Sequence, residues 1–104
     1  MKRGEIWWAA LPKPMGERSV VLVSRDEAYR VRTSVTVALV TTTIRNIRTE
    51  VLLDLEDGLP KRSVANLDDL FTVEKVRLRR FVAQLSTEKI DQINAAIKFA
   101  LALP

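Results

Sequence analysis

Two short polar clusters stand where phosphate chemistry is easiest to build. Gly16-Glu17-Arg18 leads into the continuous apolar run Val20–Val23, and Thr41-Thr42-Thr43 follows the apolar stretch Ser34–Val40. An arginine at the mouth of a buried strand is held by that strand, and its planar guanidinium suits a phosphate that gains charge as a bond breaks. Hydroxyls at a strand end can hold a phosphate oxygen or position a sugar hydroxyl. Each cluster also has a plain reading, with Arg18 a surface cation beside an acidic neighbour and the threonines ordinary β-branched strand residues. Alternation puts Thr41 on the face of Val35, Val37 and Leu39 and Thr42 on the other, so at most two of the three threonines face one site.

Cations flank the clusters in three patches: Arg25, Arg30 and Arg32 after the second apolar run, Arg45 and Arg48 after the threonines, and Lys75, Arg77, Arg79 and Arg80 farther on. Singly, each patch is what a solvated surface carries. Together around one Arg and Thr constellation they suit an RNA or DNA groove, where phosphate neutralisation supplies affinity. Seventeen Lys and Arg against thirteen Asp and Glu give a net charge of +4, and eleven of the cations are Arg. That balance fits a polyanionic partner and equally a basic protein without one. Trp7 and Trp8 offer aromatic faces for stacking, but adjacent strand residues point opposite ways, so at most one is available.

The chain has neither cysteine nor histidine. This excludes thiol nucleophiles, Cys or His zinc sites, the Ser-His-Asp triad and ribonucleases that shuttle protons through imidazoles. Asp68 with Asp69, or Asp54, Glu56 and Asp57, form acidic pairs, but each set sits in one turn. A two-metal nuclease draws its carboxylates from several strands around a pocket, so metal catalysis is disfavoured.

The elements that must position these residues follow from the hydrophobic period. The 104 residues, 47% hydrophobic and 29% charged, fit one domain spanning 1–104, with no repeat and no linker. From residue 4 to 85 short apolar runs alternate with turn residues, the pattern of a sheet. Strands are expected over Glu5–Leu11, Val20–Val23, Ser34–Val40 and Ile47–Leu55, with Ser63–Ala65 and Leu70–Val73 as short strands around an Asn66–Asp69 turn. Val76–Leu85 is mixed. After Ser86 the period becomes helical, with Ile90, Ile93, Ile97, Ala100 and Leu101 on one face of a helix over about 87–102. The expected fold is mainly β, a small, strongly bent antiparallel sheet or barrel capped by a C-terminal amphipathic helix. No apolar run has the roughly 18 residues of a membrane span, and a cytoplasmic protein is expected.

Six segments in order resemble the MazF/PemK family of toxin endoribonucleases. They are Arg3-Gly4-Glu5-Ile6-Trp7, Arg18–Ser24, Val37–Thr43, Gly58-Leu59-Pro60, Ser63–Asp68 and Gln84-Leu85-Ser86 before the final helix. The resemblance implies an SH3-like antiparallel barrel of the MazF/CcdB type, a homodimer, and metal-independent cleavage of single-stranded RNA at short sequence motifs through 2′-hydroxyl attack, with no cofactor. It also implies a cognate MazE-like antitoxin whose disordered tail covers the RNA groove. The family's catalytic pair maps onto Arg18 and Thr41, with Glu17 as the counterpart of a loop glutamate. RNA contacts then fall to Thr42, Thr43, Arg45, Arg48, Arg25, Arg30, Arg32, Lys75 and Arg77. The family's usual proline after the arginine is Ser19 here. Two other readings stand beside this one: a gyrase inhibitor of the related CcdB type, although Ala100–Pro104 carries no tryptophan, and a nucleic-acid-binding module without catalysis.

Overall fold

A computed structural model describes residues 1–104. Six strands, β1 (Glu5–Ala10), β2 (Glu17–Leu22), β3 (Ser34–Thr41), β4 (Glu50–Leu53), β5 (Ser63–Glu74) and β6 (Leu78–Gln84), form one sheet in the order β4-β5-β3-β2-β1-β6. Every pairing is antiparallel. The sheet curls into a half-barrel, and a four-residue helix α1 (Ala28–Val31) and a long helix α2 (Thr87–Ala100) pack against it. No helix is long and apolar enough to cross a membrane.

The unbroken apolar run in β2 reflects burial on both faces. Val21 joins Ile6, Ala38, Val40, Leu53 and Leu67 beneath Ile93 and Ala96 of α2. Its neighbours Val20 and Leu22 point the other way, toward Ala9, Leu11, Val35, Val37 and the α1 residues Ala28 and Tyr29. Strand alternation thus feeds two cores, and a polar residue at either flank of β2 would break one of them. Tyr29 donates its hydroxyl to the Ser24 carbonyl at 3.0 Å, and burial, with the charge of Asp26, pushes its phenol above the usual value. Ser86 caps α2 by accepting from the Lys89 amide at 3.1 Å, and the helix stops at Ala100, short of the expected 102, where Ala102 takes a left-handed φ of 55°.

Three expectations need correction, and one unassigned segment gains an element. The strand expected over Ile47–Leu55 shrinks to β4, because Ile47 and Leu55 are exposed and only Val51 and Leu53 of its odd positions reach the core. Asn66–Asp69 is no turn: β5 runs through it. Ala38 pairs with Leu70 while the next residue, Leu39, pairs with Asn66, so three residues bulge out of the ladder. Side chains pin the bulge, with Asn66 donating to Asp69 at 3.0 Å and accepting from the Asp68 amide at 2.9 Å. The mixed segment Val76–Leu85 supplies the edge strand β6, and the cationic stretch after β2 holds α1, which is too short to leave a periodic signal.

Candidate active site

β2 and β3 pair through Val20–Leu39, Val21–Ala38 and Leu22–Val37. Carried two residues further, this register sets Arg18 across from Thr41. The Arg18 guanidinium accordingly reaches over the strand end, and Nη2 donates to the Val40 carbonyl at 3.3 Å. That contact fixes the side chain while leaving its other donors free. Arg18 forms no ion pair with Glu17, which is exposed at the start of β2. Thr41 Oγ1 accepts from the Thr43 amide at 3.2 Å, so the hydroxyl is oriented by its lone pair and its hydrogen stays available to a ligand.

Glu17, Arg18, Thr41 and Thr42 line one open cleft of about 340 Å³. Its remaining walls come from Trp8, Met15, Ser19 and Val40, and from Leu59, Pro60 and Lys61 on the connection between β4 and β5 with Ser63 at the start of β5. That connection is held from below. Asp54 and Asp57 cap the 3-10 turn Leu55–Asp57, with Asp54 accepting from the Leu55 amide at 2.8 Å and Asp57 from the Asp54 amide at 2.9 Å. Lys89 of α2 donates to the Leu52 carbonyl and lies 3.7 Å from Asp57. Gly58 closes the turn at φ 98°, and a Cβ there would stand 2.6 Å from that of Ala83. Both the backbone and the space demand glycine. Asp54 and Asp57 therefore tie the turn, just as Asp68 accepts from the Thr49 hydroxyl at 2.7 Å and Asp69 from Asn66.

The flanking cations lie outside the cleft. Arg30 and Arg32 are exposed on and after α1, and Arg25 pairs with Glu27 at 3.8 Å. Arg45 meets the buried Glu50 carboxylate at 3.8 Å, and Arg48 lies 4.1 Å above the Phe99 ring of α2. Lys75 donates to the Tyr29 carbonyl and Arg77 to the Ala10 carbonyl, so both brace the chain. Thr43 is exposed just beyond the cleft and touches it through the hydrogen bond its backbone N–H donates to Thr41 Oγ1. Sequence reasoning missed Lys61 and Ser63 as cleft residues. Their only signal was a position just after the turn Gly58-Leu59-Pro60, and nothing local says that this turn folds over the end of β2.

The fold places the chain among known toxins. The Mycobacterium tuberculosis toxin MazF-mt6 superposes with a TM-score of 0.89 at 32% identity, covering 96% of this chain and 98% of that one. An endoribonuclease from Mycobacterial species, solved in complex with its cognate antitoxin, gives 0.88 at 28% identity over 100% and 97%. In sequence, the probable endoribonuclease MazF5 of Mycobacterium tuberculosis strain H37Rv is 36% identical over 100 residues, which is 95% of this chain and 91% of that protein. Residues 2–101 match the PemK-like, MazF-like toxin of type II toxin-antitoxin systems, and the chain belongs to that family. The CcdB-type gyrase reading has no support from these relatives and is set aside.

Proposed function

We propose that this chain is the toxin of a type II toxin-antitoxin pair and acts as an endoribonuclease on single-stranded RNA in the cytoplasm. The observation that carries the chemistry is the convergence of Arg18 and Thr41 on one cleft, each with donors left free for a ligand. The ribose 2′-oxygen attacks the adjacent phosphorus, the bond to the 5′-oxygen breaks, and the products end in a 2′,3′-cyclic phosphate and a 5′-hydroxyl. A guanidinium offers five donors and no acceptor, so Arg18 acts as a charge clamp on the phosphorane and not as a base. Thr41 donates to a non-bridging oxygen. Glu17, the one carboxylate in the cleft wall, accepts the 2′-hydroxyl proton, and water in the open cleft supplies the proton to the leaving oxygen.

Thr42, Thr43, Arg45 and Arg48, on the chain leaving β3, are assigned to the phosphates next along the strand. Arg25, Arg30, Arg32, Lys75 and Arg77 add long-range attraction that falls with salt. A homodimer lengthens the groove, and a cognate antitoxin with an acidic, partly apolar segment competes with RNA for it. Brief expression followed by sequencing of 5′ ends tests activity and cut motif together. Arg18→Ala is expected to slow cleavage by at least about 10²-fold, in EDTA and in magnesium alike, with the fold retained. Unchanged cutting by that variant removes Arg18 from the mechanism.

A further inference from the structure

We propose that Trp8 and Arg80 form a subsite for the nucleotide beside the scissile phosphate, with Trp8 stacking on its base and Arg80 holding the phosphate beyond. The proposal rests on the ribonuclease reading of the cleft. Trp8 pairs with Ser19 on one side and Arg80 on the other, so the three residues form a row across β2, β1 and β6. The β1–β6 register slips on both sides of the tryptophan pair, an arrangement that re-aims side chains next to sites.

A second cavity of about 470 Å³ adjoins the cleft and shares Trp8, Ser19, Leu59 and Pro60 with it. Its added walls are Leu55, Gly58 and Val82, and Arg80 is its one charged residue. A largely apolar slot lined by one aromatic ring and one cation matches a planar base with its phosphate. Across both cavities the charges are Arg18, Lys61 and Arg80 against Glu17, which favours an anionic occupant.

The neighbouring tryptophan shows what a structural indole looks like in this fold. Trp7 donates to Glu5 at 2.9 Å and meets Phe81 edge-on at 6.1 Å, packed against the α1-side core. No hydrogen bond within the chain engages the Trp8 indole, and Trp8 lines both cavities.

The test uses a short RNA centred on the cut mapped with the unaltered protein, and versions with an abasic residue at each position flanking the scissile bond. Trp8→Ala is expected to lower kcat/KM on the intact RNA roughly tenfold to hundredfold, the span of one lost base stack. On one of the abasic RNAs the same substitution should cost nothing further, and Trp8→Phe should recover most of the loss. Arg80→Ala should lower the slope of log affinity against log salt by about 0.7, one phosphate on a single strand. In a Trp7→Phe background, a 2′-deoxy RNA that cannot be cut should quench Trp8 fluorescence, and the matching abasic RNA should not; this arm stands even if Trp8→Ala fails to fold. Equal losses on every abasic RNA, no loss at all, or unquenched Trp8 overturn the subsite, including the case in which Trp8 serves only a protein partner. Failure of the underlying reading looks different, because then the unaltered protein cuts no RNA or Arg18→Ala cuts as well as it does.

Discussion

The cleft around Arg18 and the acidic corner around Asn66 are both rich in polar side chains at one end of the sheet, and they treat those side chains in opposite ways. In the corner Asn66, Asp68, Asp69 and Thr49 bond one another, and Thr49 and Asn66 are buried. In the cleft Ser19, Thr42 and Lys61 have no side-chain partner in the chain, and Arg18 and Thr41 each keep donors free. Polar groups that hold a fold are satisfied by it, since a buried unpaired one is costly. Groups that wait for a ligand are positioned by the fold and left unsatisfied. The difference separates residues bonded within the fold from those the proposed function puts to work more sharply than charge does.

Substitutions should respect that division. Thr41→Val, close in shape and lacking only the hydroxyl, is expected to slow RNA cleavage by about 10²-fold while the thermal midpoint stays put, measured by single-turnover kinetics and calorimetry. Asn66→Ala should do the reverse, costing about 2 kcal/mol in denaturant unfolding, because the Asp68 amide and the Asp69 carboxylate each lose a partner. Activity per folded molecule should be unchanged, and a loss of turnover in that variant would break the contrast. Lys89→Met, which frees Asp57 and the Leu52 carbonyl beneath the cleft wall, is expected to cost about 1 kcal/mol and to raise KM more than it lowers kcat.

The smallest effect is a pH dependence that leaves the cleft untouched. Tyr29 is the one tyrosine in the chain, and burial first, then Asp26, holds its phenol above the ordinary value near 10. The folded form therefore favours the protonated phenol. Its contribution to stability is whole below pH about 10 and is lost as pH rises beyond that point. Absorbance at phenolate wavelengths should show no titration until the fold gives way, and a midpoint near 10 in the native protein would contradict the burial.

Much of this was legible from residue order. β2 and β3 were readable in outline because Val20–Val23 and Val37–Val40 are unbroken apolar runs, whereas the register that sets Arg18 across from Thr41 is a tertiary fact with no local mark. α2 was readable from its cap and its three-four spacing. The course of β5 was not, because Asn66, Asp68 and Asp69 are the residues that make turns, and the same side-chain chemistry serves a bulge once neighbouring strands are present. Nor was β4, whose flanking Ile47 and Leu55 are apolar yet exposed. Within the site, Lys61 and Ser63 arrive on a turn folded over from the far edge of the sheet, a long-range event with no local mark.

Because β6 pairs only with β1, its outer side presents unpaired backbone to the surroundings, with the apolar Phe81 exposed beside it. Such an edge invites a second molecule to add a strand. Arg79 and Arg80 sit on it in succession, one on each face, and their positive charges make stacking of identical copies repulsive. Charge at this open edge thus works against fibril growth by identical copies.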